Sequence, residues 1–144
     1  MSNKIVVGYD GSESAHATLD FAVGLAKAQG ASIVVAHVLE WSPYSFLTPN
    51  ELEERHKRRG EELDRAEKAI LGPVMKKLEN SGVPVTKALR YGGIADTLCD
   101  IVKAEGASQV VVGRTGNSGL SSRIFGSVAG SLAQISPVPV TIVP

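Results

Sequence analysis

The 144 residues suffice for one domain with a sizeable buried core, and 43% apolar beside 21% charged residues describes an ordinary globular chain. Fifteen basic side chains balance fifteen acidic ones, which argues against a strongly cationic nucleic-acid or membrane-surface binder. No apolar run approaches the roughly 20 residues that span a bilayer, and one cysteine, Cys99, forms no intrachain disulfide. Met1-Ser2-Asn3-Lys4 runs straight into an apolar strand without a signal-peptide pattern, so the expectation is a cytoplasmic protein.

In chain order, the first predicted strand is Ile5–Tyr9. A helix capped by Ser12 or Ser14 follows, with Ala15, Leu19, Ala22 and Leu25-Ala26 on its apolar face and a stop near Gly30. The second strand is Ser32–Leu39. The stretch Glu40–Pro49, with Trp41, Tyr44 and Phe46 between two prolines, reads as a surface loop. Asn50 opens a long charged segment, Glu51–Asn80, that Gly82 and Pro84 end and that Gly72-Pro73 should kink or break. Val85–Tyr91 is the third strand, and Ile94, Leu98, Ile101 and Val102 give the next helix its apolar face up to Gly106. Gln109–Gly113 is the fourth strand, a last helix is expected to start around Gly126-Ser127, and Val138–Val143 is the fifth strand.

Ile33-Val34-Val35-Ala36 and Val110-Val111-Val112 are nearly continuous apolar runs, the pattern of parallel strands buried on both faces. Strands alternating with helices imply right-handed crossovers and a single α/β domain over residues 1–144, a doubly wound sheet with helices on both faces.

Charge is unevenly placed. Residues 1–72 carry eight basic and eleven acidic side chains, net −3; residues 73–144 carry seven and four, net +3. No acid follows Glu105, while Arg114 and Arg123 do. In that acid-free stretch lies Gly113-Arg114-Thr115-Gly116, then nine residues, then Gly126-Ser127, a G-x2-G-x9-G-S pattern after a buried strand. Glycines let backbone approach a ligand closely, and turn and helix-start amides point at an anion. Ser127 adds a hydroxyl for a phosphate or for a metal held by one. The pattern therefore points to phosphate; the alternative is a tight strand-to-helix turn with a flexible loop. Its place at the C-terminal end of a parallel strand, where open α/β sheets put ligands, favours phosphate. Asp10 stands at the end of the first strand in Val7-Gly8-Tyr9-Asp10-Gly11-Ser12. Its carboxylate could accept from ribose hydroxyls, or it could stabilise the turn.

Together, Ile5-Val6-Val7-Gly8-Tyr9-Asp10-Gly11-Ser12, His37-Val38, the G-x2-G-x9-G-S signature and Pro137-Val138-Pro139-Val140 resemble the universal stress protein family over essentially the whole chain. The signature marks that family's ATP-binding branch. The resemblance implies a Rossmann-like five-stranded parallel sheet in the order 3-2-1-4-5. It also implies a pocket for ATP, alone or with Mg2+ or Mn2+, at the ends of the first, second and fourth strands. Gly8, Tyr9 and Asp10 would line the adenosine, Val38 the adenine, Val112, Gly113 and Gly116 the first turn of the loop, and Gly126, Ser127 and Val128 the phosphates. Many relatives have Ser-His where this chain has Arg114-Thr115, so no contact through that histidine is implied. In the implied order the fifth strand is an edge, apolar and uncharged, which invites antiparallel pairing with a second copy through Val140–Val143. The prolines Pro137 and Pro139 limit pairing at its start.

Other chemistries find less support. The P-loop pattern G-x4-G-K-[ST] is absent, and no lysine follows Lys103. G-x-G-x-x-G does not follow the first strand, and Asp10–Ser14 does not match the serine-rich turn of ATP pyrophosphatases. His16, His37 and His56 lack metal-ligand spacing. Cys99 reads as a buried small hydrophobe, and Glu53–Arg59 as a solvated helix face. Asp10, Arg123 and Ser127 could assist phosphoryl transfer, but no general base is evident. The expected activity is therefore that of an ATP-dependent regulator in stress response, acting on an unidentified partner protein. The alternative is a slow ATPase or phosphotransferase; no catalytic residue and no protein metal site is assigned.

Overall fold

Five strands form a parallel sheet in the order β3-β2-β1-β4-β5: β1 (Lys4–Gly8), β2 (Ser32–Glu40), β3 (Val85–Gly92), β4 (Gln109–Gly113) and β5 (Val140–Val143). The computed structural model describes residues 3–40, 49–114 and 121–144, with residues 52, 55, 56 and 121–127 described by backbone alone. Val6 of β1 lies in register with Val34 on one side and Val110 on the other. The three central strands are the ones whose apolar runs predicted burial on both faces, and Ile5–Val7, Ile33–His37 and Val110–Gly113 are all buried. The edges are more exposed: β3 exposes Thr86, Lys87 and Arg90, and β5 exposes Ile142.

Alternation along each strand divides the core into two layers. Ile5, Val7, Ile33, Val35 and Val111 pack with α1 (Glu13–Gln29) and with Leu71, Val74 and Leu78 of the segment before β3. Val6, Val34, Ala36, Val110 and Val112 pack on the other face against α4 (Ile94–Glu105) and α5 (Ser121–Ile135). Ser12 caps α1, accepting from the Ala15 N–H at 3.2 Å. Gly30 and Gly106 close α1 and α4 in left-handed backbone.

Three expectations need correction. Of the kink or break expected at Gly72-Pro73, the break does not occur. α2 (Pro49–Ala66) passes through a π-helical turn, Glu67–Leu71, into α3 (Gly72–Leu78). The Gly72 N–H bonds the Glu67 carbonyl five residues back, and Pro73, lacking an N–H, follows directly, with the wider π turn absorbing the bond it cannot donate. The last helix begins at Ser121, five residues before Gly126. Ile124 continues the four-residue spacing of Val128 and Leu132, and that periodicity outweighs the roughly 1 kcal/mol that a glycine costs inside a helix. β5 also starts later than expected, at Val140, because Pro137 and Pro139 donate no ladder bonds.

Candidate functional site

A cleft opens at the C-terminal ends of β1, β2 and β4, under α4 and α5. Gly8, Tyr9, Asp10, Val38, Val112 and Val128 line it, six of the ten residues expected there, with Ile94 and Leu98 of α4 closing one side. The strand order brings them together: β1 lies between β2 and β4, so their three C-terminal ends adjoin.

Gly8 makes the floor. A Cβ there would stand 3.1 Å from Val112 Cγ1, tighter than ordinary carbon contact, and 3.5 Å from Leu98 Cδ1. Tyr9 lines the cleft mainly through its backbone, because its ring packs in the α1 layer edge-on to His16 at 5.8 Å. Its N–H remains in the ladder, donating to the Ala36 carbonyl at 2.8 Å. Burial, with the Asp10 charge adding to it, raises the Tyr9 phenol above its usual range, so it is no base near neutral pH. Asp10 performs the turn role: one carboxylate oxygen accepts from the Ser12 N–H at 3.0 Å and from the Ser12 hydroxyl at 2.5 Å. Gly11 completes this turn at φ 78°, a conformation that a side chain would strain.

On the β4 side Gly113 is buried, and the Arg114 N–H donates to the Val143 carbonyl at 2.7 Å, tying the start of the glycine loop to the edge strand. Gly116 lies outside the described residues. Gly126 and Ser127 lie in the second turn of α5, where the helical ladder engages their N–H groups. The unpaired amides at that helix start belong instead to its first four residues, Ser121–Ile124.

The cleft is chemically polarised. Beside it, sharing Ile94 and Val128, is a hollow lined also by Glu40, Asp96 and Ser131. Two carboxylates repel a polyphosphate there, whereas the Gly113 side leads into sequence without an acid. An anionic ligand with an apolar ring would thus lie with its ring over Gly8 and Val112 and its charge toward Gly113 and the start of α5. Among the described residues no group of three or more His, Cys, Asp and Glu side chains converges. Cys99 is buried on α4, and burial, ahead of its charged neighbours, pushes its thiol up, away from nucleophilic use.

Sequence reasoning passed over His37 as a site residue. It is buried in β2 beside the cleft, and its Nδ1 bonds the Tyr9 carbonyl at 2.7 Å. The signal was available: a lone polar ring inside an otherwise apolar run, Ile33–Val38, in a strand read as buried on both faces.

The universal stress protein family model matches residues 1–144. Universal stress protein YxiE of Bacillus subtilis is 31% identical over 156 residues, covering 99% of both chains. Among solved structures, universal stress protein UspA from Lactobacillus plantarum superposes with a TM-score of 0.81 at 23% identity, covering 99% of this chain and 97% of the other. A universal stress protein in complex with cAMP superposes with a TM-score of 0.70 at 25% identity, covering 99% of this chain and 97% of that one. No helix among the described residues is long and apolar enough to cross a membrane. With the strand order that the motifs implied and a family match over its full length, this chain belongs to the universal stress protein family.

Proposed function

We propose that the chain binds ATP in this cleft and acts in the cytoplasm as a nucleotide-dependent regulator of a partner protein in stress response. The observation that carries the reading is the convergence of Gly8, Asp10, Val38, Val112 and Val128 on one apolar cleft at the strand ends. That cleft has an acid-free glycine loop on one side and carboxylates on the other. The cAMP complex of a family member supports an adenine nucleotide as the ligand class. Adenine packs between Val38 and Val112 over Gly8, and Asp10 accepts from the ribose. A carboxylate has about four acceptor positions, so it can do so while still holding Ser12. The phosphates, with Mg2+ or Mn2+ where present, fall to Gly113 and Gly116 and to the amides at the start of α5, ahead of the Gly126-Ser127 pair that the motif singled out.

Regulation is favoured over turnover because the Tyr9 phenol and the Cys99 thiol are both raised by burial and the Asp10 carboxylate already holds Ser12. Mass spectrometry of the protein as purified, alongside a turnover assay, tests both parts. Co-purified ATP with hydrolysis far below about 1 s⁻¹ is expected; turnover at the rates of ordinary enzymes would favour the ATPase reading.

A further inference from the structure

His37 is 6% exposed and shares the parity of Ile33 and Val35 along β2, opposite to Ala36 and Val38. Its Nδ1 lies 2.7 Å from the Tyr9 carbonyl oxygen. A carbonyl oxygen accepts, so Nδ1 carries the proton, and in the neutral ring Nε2 is left as an acceptor. Nε2 is buried with no hydrogen-bond partner among the described residues. Such a polar atom costs stability, and a leucine would fill the space without it. Packing therefore does not account for a histidine at this position; the Nδ1 bond does. The carbonyl it holds is the first beyond β1. On its N-terminal side the Tyr9 N–H is still in the ladder with Ala36. On its other side Asp10 and Gly11 turn toward the Ser12 cap of α1.

We propose that His37 is a positioning residue for nucleotide binding: its Nδ1–H holds the Tyr9–Asp10 peptide, and through it aims the Asp10 carboxylate into the cleft. The inference rests on the ATP reading above. The ring acts through the backbone and does not touch the nucleotide. In effect β2 sets the conformation of the turn that leaves β1.

The test compares H37N, whose amide N–H falls where Nδ1–H was, with H37Q, whose amide reaches the Nε2 position. Leu78→Ala serves as a control that removes core packing on α3, at the end of the sheet away from the cleft. ATP affinity is measured by calorimetry at 25 °C, melting temperature by calorimetric scan, and the His37 tautomer by 15N NMR of the wild type. H37Q is expected to lose about tenfold in ATP affinity, H37N to recover most of that loss, and L78A to melt earlier with affinity unchanged. An Nε2–H tautomer, an unaltered affinity in H37Q, an H37N as weak as H37Q, or an equal affinity loss in L78A would each overturn the positioning role while leaving the ATP reading in place. A wild type that does not bind ATP would overturn both.

Discussion

Gly8→Ala asks whether the floor of the cleft is where a ligand ring lies. The new methyl would stand 3.1 Å from Val112 Cγ1 and 3.5 Å from Leu98 Cδ1. Carbon atoms prefer about 3.5–4.0 Å, so Val112 must give by a few tenths of an ångström. Crowding of this kind costs about 1–3 kcal/mol. Against it stand about 0.8 kcal/mol for the buried methyl and about 0.4–1 kcal/mol from the smaller unfolded-state entropy of alanine. The net change lies within about 2 kcal/mol of zero, so the variant folds, with a melting temperature within about 6 °C of the wild type. Binding changes more, because the methyl occupies the surface on which adenine is proposed to pack. We expect at least about a tenfold loss of ATP affinity, or 1.4 kcal/mol, and no measurable binding for Gly8→Val. Isothermal calorimetry and a thermal scan on the same preparations read both quantities. A folded Gly8→Ala that binds ATP within about twofold of a binding wild type would refute the placement of the ring.

Asp10→Ala should weaken ATP more than inorganic triphosphate, since its proposed partner is ribose; an equal loss in parallel titrations would assign Asp10 to the turn that holds Ser12. Val140→Lys with Ile142→Lys places charge on the β5 edge and should convert a homodimer to monomers while ATP binding survives, as read by light scattering. A wild type that is monomeric at tens of micromolar would contradict the dimer. Gly24→Ala, in α1 with nothing among the described residues within 4 Å of the added methyl, should raise stability by about 0.4–1 kcal/mol with ATP affinity unchanged, by denaturant unfolding and calorimetry.

The sheet was legible because its central strands state their burial outright. Val110-Val111-Val112 and Ile33–Ala36 leave no polar face, and β4 runs from Gln109 to Gly113 as its flanks suggested. Where helices end was legible when a cap residue competes with nothing, as at Gly30 and Gly106, and the start of α1 was narrowed to Ser12 or Ser14, of which Ser12 is the cap. The start was not legible at α5, where a glycine-serine pair reads equally as a helix start or as two residues inside a periodic helix, and the apolar spacing decided. Nor does Gly72-Pro73 announce a π turn, since the wider hydrogen-bond ring that absorbs the proline leaves the sequence pattern helical. At the site, the glycine loop and Asp10 drew attention by residue type. Gly8 works by close approach to Val112, and the bond of His37 spans 28 residues of chain. Both depend on which strands are neighbours, which a motif alone does not contain.

The most direct test of the account is a calorimetric titration of ATP into the unmodified chain. The cleft predicts one ATP per chain with a dissociation constant in the micromolar range, about −8 kcal/mol. Absence of binding up to about 1 mM ATP, where affinity is worth only about −4 kcal/mol, would contradict it.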